Sequence, residues 1–175
     1  MNKTKPMIAV LMCAAIVLGL ISAIPGVGTT ANALGESTNL LAGKNENFET
    51  YEIPNWTITS GVLQNKDVTY DASSVYSLEL AKAGASATSE KMDVTAGKKY
   101  TVSAMVKGAA GVAAVLFYDA TDAPLTPATA DIAAAADWTA FSATVTAPDG
   151  AVRAAVKFSA GDAATTSGKL YRYYR

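Results

Sequence analysis

The chain of 175 residues has no histidine and a single cysteine, Cys13. Without histidine, Ser-His-Asp and Cys-His catalysis are excluded, and so is every zinc site that needs an imidazole ligand. A lone cysteine forms no intrachain disulfide, so the fold must depend on packing or on a bound ion. The composition therefore argues against catalysis of these types and against a zinc or copper centre.

Dense positive charge and long apolar runs are also missing from most of the chain. The 14 basic residues are scattered among 15 acidic ones, and the longest basic run is Lys98-Lys99. Nucleic acids are bound by dense patches of Lys and Arg, so we predict no nucleic-acid partner. Beyond residue 33 no apolar stretch approaches the roughly 18–20 residues that cross a bilayer.

The first 33 residues do have a long apolar run, with the pattern of a secretion signal. Lys3 and Lys5 give a positive start, residues 7–24 are almost entirely apolar, and Ala31-Asn32-Ala33 ends the segment with the small residues that signal peptidases cleave after. We therefore predict a signal peptide over residues 1–33. The alternative is an uncleaved anchor, because the run is close to the minimum length for a membrane span.

Cleavage would leave residues 34–175, a length that suits one domain. We predict that this domain is secreted and works outside the cell, either free or associated with the cell surface, and that it has no membrane partner once the leader is removed.

Period-two alternation of apolar and polar residues runs through this domain and predicts β-strands. It is strongest in residues 100–107, 141–146 and 152–159, and residues 112–118 form the apolar run of a central strand. Weaker strands are predicted at 56–59, 61–70, 76–81, 87–94 and 170–174. Turn residues such as Pro148-Asp149-Gly150 separate the strands. The pattern predicts an all-β, antiparallel β-sandwich.

Residues 120–136 interrupt the alternation. They are rich in alanine, which is a poor strand former, and they contain Pro124 and Pro127. We predict a long irregular connection here, in which residues 131–137 form either a short helix or a loop.

Several short motifs occur in an order typical of one family. These are Asn39-Leu40-Leu41, Asn45-Glu46-Asn47-Phe48-Glu49, Trp56, residues 94–104 (VTAGKKYTVSA), Trp138-Thr139-Ala140-Phe141 and Thr146-Ala147-Pro148. The series resembles the cellulase- and xylanase-associated carbohydrate-binding modules over nearly all of residues 39–172. The resemblance implies a galactose-binding-like jelly roll that binds a glycan or cell-wall polysaccharide without catalysis.

The resemblance also implies a structural calcium ion held by an acid near the N-terminal Phe-Glu, here Glu49, and by an acid of a closing strand that carries two carboxylates in the family. Here that segment reads Tyr171-Arg172-Tyr173-Tyr174-Arg175, with tyrosines where the carboxylates are expected. Calcium takes six or more oxygen ligands, often from carboxylates. We therefore expect no cofactor, with a calcium ion at Glu49 as the alternative.

Sugar-binding proteins combine aromatic rings, which pack on the apolar face of a pyranose, with polar groups that bond its hydroxyls. Tyrosine suits a half-exposed site, and on a strand Tyr118 faces away from Phe117. In the family Trp138 and Trp56 occupy packing positions, so we expect Trp138 in the core and keep Trp56 as a candidate. The predicted ligand contacts are Trp56, Gln64, Tyr70, Tyr76, Tyr118 and Arg153.

The sequence thus predicts a secreted, non-catalytic carbohydrate-binding module. Asp119 and Asp122 are the one carboxylate pair considered for glycoside hydrolysis, and loop acids of this kind are mostly solvated turn formers. Two alternatives remain: an adhesive or structural surface protein without glycan specificity, and a remnant of a larger glycoside hydrolase. A neighbouring hydrolase is a further expected partner.

Overall fold

A computed structural model describes residues 38–161 and 168–171 of the chain, which belong to one compact unit, Ser37–Arg175. The predicted signal peptide and the closing residues 172–175 lie outside the described residues. The described part contains eleven β-strands and no helix, as the all-β prediction requires. Accordingly, residues 38–161 and 168–171 include no helix with the length and apolar character needed to cross a bilayer.

The strands fall into the two sheets of a sandwich. Their bounds are β1 Trp56–Ile58, β2 Val62–Asn65, β3 Ser77–Leu80, β4 Ser86–Ser89, β5 Met92–Asp93, β6 Lys99–Gly108, β7 Gly111–Tyr118, β8 Ala128–Ile132, β9 Ala135–Thr146, β10 Arg153–Ala160 and β11 Gly168–Tyr171. The six-stranded sheet has the order β1-β4-β10-β7-β8, with β5 also paired to β10, and the five-stranded sheet has the order β2-β3-β11-β6-β9. All of these pairings are antiparallel.

The two sheets pack against each other through two clusters of buried hydrophobic residues. One cluster contains Leu78 and Val106 from the five-stranded sheet together with Val156 and Phe158 from the six-stranded sheet. Fully burying a side chain of this size stabilises the fold by about 1.5–3 kcal/mol. Because strand side chains alternate between the two faces of a sheet, the remaining positions of each strand form the two outer faces of the sandwich.

The strong strand predictions over residues 100–107, 112–118 and 152–159 are confirmed to within one residue at either end. The predicted turn after β9 is confirmed too, since Ala151 donates its N–H to the Pro148 carbonyl over 3.1 Å while Gly150 adopts φ 80°. The weaker prediction over residues 87–94 is divided in the structure, because the pairing with β10 is interrupted between β4 and β5, where the Val156 N–H bonds to the Ser89 hydroxyl over 2.9 Å.

The irregular connection predicted for residues 120–136 is wrong for its second half. Residues 128–132 form β8, which pairs along β7 from Gly111↔Ile132 to Val115↔Ala128, and β9 already begins at Ala135. Ile132 is 3% exposed and anchors the strand in the core. Cross-strand pairing and this anchor outweigh the poor strand propensity of alanine, which is a weak and context-dependent preference.

Candidate functional site

The predicted ligand residues lie at several separate places, and one of them is in the core. Trp56 is 8% exposed, with its ring centroid 4.9 Å from that of Phe48 and 6.4 Å from that of Phe158. Its indole N–H donates to the Lys44 carbonyl over 3.1 Å. The ligand role predicted for Trp56 is therefore corrected to a packing role, because its ring and its polar atom are both engaged inside the protein.

Tyr118 and Arg153 come together on the outer face of the six-stranded sheet, as direct partners across β7 and β10. The Lys91 ammonium lies 3.9 Å from the centroid of the Tyr118 ring, a cation–π contact. Asp122 accepts from Lys91 over 2.6 Å and from Arg153 over 3.3 Å. Lys91, Arg153 and Asp122 are thus paired with one another, and one side of the aromatic ring is covered.

The two loop acids considered for catalysis are held in the ionised form. Bonding from the Lys91 ammonium lowers the pKa of Asp122, and the charge of Arg153 adds to the effect. Bonding from the Thr121 hydroxyl lowers the pKa of Asp119, with a further contribution from the Ala123 N–H. A glycosidase needs one carboxylic acid with a raised pKa, so these two groups act as turn and ion-pair residues.

Gln64 braces a neighbouring loop through its side-chain amide. Its Nε2 donates to the carbonyls of Phe48 and Thr50, over 3.1 and 2.8 Å, and its Oε1 accepts the N–H of Glu52 over 3.0 Å. All three bonds go to the backbone of residues 48–52, which we call the 48–52 loop. Gln64 therefore fixes the conformation of this loop.

Glu49 links the 48–52 loop to residues 66–76, the β2–β3 loop. Its Oε2 accepts the N–H groups of Val75 and Tyr76, over 2.7 and 3.1 Å. Its Oε1 is buried without a hydrogen-bond partner, and so is Nδ2 of Asn45.

An orphan carboxylate oxygen of this kind matches one ligand of a calcium ion. However, no group of three or more His, Cys, Asp or Glu side chains converges anywhere in the described residues. Glu49 fits one position of a calcium site, and the side chains described here do not make up the carboxylate-rich remainder.

Tyr70 lies in the β2–β3 loop and meets Trp138 of β9. The two rings are 5.7 Å apart and nearly perpendicular, at 84°. Trp138 is half-buried rather than a core residue, so its predicted core position is wrong. It lies where the pairing of β9 with β6 shifts register, between Thr139↔Val106 and Ala135↔Gly108. A bulge of this kind changes the direction of the side chains in it, so a uniform period of two does not predict where Trp138 points.

Farther along β9, four and six positions after Trp138, the outer face of the five-stranded sheet carries hydroxyl groups in register. Outward positions of β6 face those of β9 as Thr101↔Thr144 and Ser103↔Ser142. The Oγ1 atoms of Thr101 and Thr144 are 2.9 Å apart, and both residues are exposed. We call the Tyr70–Trp138 pair together with these four hydroxyl residues the five-stranded face. It combines an aromatic ring with hydroxyl donors and acceptors that are held by strands rather than by flexible loops.

Comparison with known proteins agrees with this chemistry. Residues 42–167 match the model of a family described as a carbohydrate binding domain. No curated protein sequence matches the chain.

Solved structures resemble the chain in fold. Tailspike protein 4 of bacteriophage CBA120 (its enzymatically active domain) gives a TM-score of 0.57 at 20% identity, over 72% of this chain and 20% of that chain. TmCBM61 in complex with β-1,4-galactotriose gives 0.51 at 17% identity, over 79% and 97% of the two chains. The CBM22-1 xylan-binding domain from Paenibacillus barcinonensis Xyn10C gives 0.51 at 14%, over 74% and 94%. The chain thus spans only a fifth of the tailspike chain but nearly all of the two modules.

The family model covers well over half of the 175 residues, in the region that forms both sheets. The chain belongs to this family of carbohydrate-binding domains.

Proposed function

We propose that the protein is a secreted, non-catalytic glycan-binding module with a galactose-binding-like jelly-roll fold, and that its ligand lies across the five-stranded face. Glycan binding itself follows from family membership. The observation that carries the choice of face is that one strand, β9, contains both Trp138 of the aromatic pair and hydroxyl residues paired with those of β6.

The chemistry of this face suits a neutral sugar chain. A ring surface packs on the apolar C–H face of a pyranose, while threonine and serine hydroxyls exchange hydrogen bonds with sugar hydroxyls. Extended strands present these groups in a line. TmCBM61 was solved with β-1,4-galactotriose and the CBM22-1 domain is described as xylan-binding, so neutral β-linked polysaccharides are the first ligands to test. Binding in the millimolar to micromolar range corresponds to about −4 to −8 kcal/mol.

The absence of catalysis is supported by the lowered pKa of Asp119 and of Asp122, which leaves neither carboxyl as a general acid at neutral pH. Secretion is supported by the leader pattern of residues 1–33. A module of this type serves a polysaccharide-degrading system by holding it near its substrate, so a neighbouring hydrolase is the proposed partner.

The proposal is tested by affinity electrophoresis of the purified protein in gels containing soluble xylan, β-glucan or galactan. We expect retarded migration in at least one gel, no release of reducing sugar, and loss of retardation in Tyr70→Ala. Tyr70→Phe is the matched control, since it keeps the ring. Unchanged retardation of Tyr70→Ala contradicts the choice of face, and release of reducing sugar contradicts the non-catalytic role.

We also propose that the domain folds without a bound metal. Because the described side chains supply only a partial calcium site around Glu49, EDTA should leave the melting temperature unchanged. Differential scanning calorimetry with EDTA and with added CaCl₂ measures this. A higher melting temperature in calcium, abolished by Glu49→Gln, would establish the calcium ion that we reject.

A further inference from the structure

We propose that Tyr51 and Tyr76 form a second glycan-contact site, separate from the five-stranded face, which takes one pyranose ring of a neutral glycan. We call Tyr51, Tyr76 and Lys66 the tyrosine platform. The inference rests on the proposed function, and it adds a binding site that lies on loops rather than on a sheet.

The first observation is the exposure of an aromatic pair. Tyr51 is 68% exposed, more than any other large hydrophobic residue among those that the structure describes. Its ring centroid lies 6.4 Å from that of Tyr76, and Val75 beside it is 57% exposed. Contiguous exposed apolar surface commonly marks an interaction site. Tyrosine rings provide large contact area at low conformational-entropy cost.

The second observation is that hydrogen bonds hold the backbone that carries both rings. The Gln64 amide bonds to the backbone of Thr50 and Glu52, the two neighbours of Tyr51 in the chain. The Glu49 carboxylate bonds to the Tyr76 N–H on the other side. A loop that is already ordered loses little entropy when a ligand binds, so the platform is preorganised.

The backbone of the 48–52 loop also has unusual conformations at its end. Glu52 and the buried Ile53 adopt positive φ values of 70° and 49°. Such conformations cost roughly 1–3 kcal/mol each in non-glycine residues and persist only where the surroundings impose them. The amide bonds from Gln64 and the burial of Ile53 supply that constraint, next to the exposed Tyr51.

The charges around the platform select the class of sugar. The Lys66 ammonium lies 5.3 Å from the Tyr76 ring centroid and makes no ion pair with any residue in the described part of the chain. It therefore offers hydrogen-bond donors to sugar hydroxyls. Glu49 and Glu52 belong to the adjoining 48–52 loop, and their negative charges disfavour an acidic sugar. The preferred ligand is a neutral pyranose.

The β2–β3 loop connects the two sites without merging them. It supplies Tyr70 to the pair with Trp138 and Tyr76 to the pair with Tyr51. A polysaccharide that reaches both pairs gains from effective concentration, whereas a short oligosaccharide occupies either pair alone.

The test is an NMR titration of the ¹⁵N-labelled protein with xylohexaose, run on the wild type, Tyr51→Ala and Trp138→Ala. We expect the amides of residues 49–52 and 75–76 to shift on titration. Those shifts should persist in Trp138→Ala. In Tyr51→Ala the affinity for xylohexaose that is derived from them should fall at least tenfold. Ile58→Ala removes another exposed apolar side chain, 44% exposed on β1, and is the matched control that should change neither set of shifts.

The outcomes separate the two proposals. Shifts on β6 and β9 with none at the platform overturn the second site and leave the proposed function intact. Shifts at the platform with none on β6 and β9 support the platform and overturn the choice of the five-stranded face. Platform shifts that survive in Tyr51→Ala, while its melting temperature stays that of the wild type, overturn the platform.

Discussion

Two tyrosines that the sequence singles out have different surroundings. On the outer face of the six-stranded sheet Tyr118 lies under the Lys91 ammonium, and Asp122 binds both Lys91 and Arg153. In the β2–β3 loop Tyr70 meets the ring of Trp138 on β9, a strand that carries neutral hydroxyls on the five-stranded face.

This difference shows how a protein surface is closed to ligands or left open to them. Opposite charges that form ion pairs with one another already use their hydrogen-bonding groups. A ligand must break those ion pairs before it makes its own contacts. A hydroxyl pair such as Thr101–Thr144 uses one donor and one acceptor site and leaves others available, since each hydroxyl has one donor and two acceptor sites. We therefore expect the five-stranded face to bind and the six-stranded face to stay solvated.

The largest expected effect comes from exchanging one aromatic side chain on each face for alanine. Trp138→Ala should weaken glycan binding at least tenfold, or about 1.4 kcal/mol, because it removes a contact ring. Tyr118→Ala should change the affinity less than twofold. Isothermal titration calorimetry with xylohexaose measures both. A larger loss in Tyr118→Ala than in Trp138→Ala would reverse the assignment of the two faces.

A smaller effect is expected from removing hydroxyls without changing shape. The double variant Thr101→Val with Thr144→Val should weaken binding roughly threefold, in keeping with the modest net value of neutral hydrogen bonds. The control is Thr57→Val with Thr88→Val, a cross-strand pair on the outer side of the six-stranded sheet. Equal affinities of the two double variants, measured by calorimetry, would show that the hydroxyls of β6 and β9 are not ligand contacts.

The smallest effect concerns the ion pairs of the six-stranded face. Lys91→Gln should raise the pKa of Asp122 toward its usual value of about 3.9, because the Lys91 bond is the main cause of the lowered pKa. A lowered pKa in the folded state gives stability above the unfolded pKa that is lost as the pH falls through the folded pKa. The free energy of unfolding of the variant should therefore depend less on pH below about 4 than that of the wild type. Carboxyl ¹³C titration gives the pKa, and an unchanged value would show that Lys91 does not hold Asp122.

Much of this fold is readable in the sequence because burial in a strand has a period of two. Phe141 and Val145 face the core as this period requires, whereas Trp138 lies in the part of β9 where the register shifts and is half-buried, although its family position suggested a core residue. Strand β8 was missed because alanine gives a weak local signal, and only its pairing with β7 makes it a strand.

The sequence predicts which types of residue form the site, but only partly which of them lie together in the fold. Tyr70 and Tyr76 are recognisable as half-exposed aromatics near a turn, but their partners Trp138 and Tyr51 are distant in the chain. Likewise, the role of Gln64 depends on a loop that precedes it by about a dozen residues. Contacts of this range follow from topology, and no local pattern reports them.

The β2–β3 loop gives the molecule a simple route to new specificity. One short segment carries a ring for each of two aromatic pairs, while the strands on either side of it belong to the scaffold. An exchange of residues 66–76 between homologues would alter both contacts at once and leave the hydrophobic interior untouched. Ligand preference in such a module can therefore diverge through one hairpin connection, while the strands of the β-sandwich that supports it stay the same.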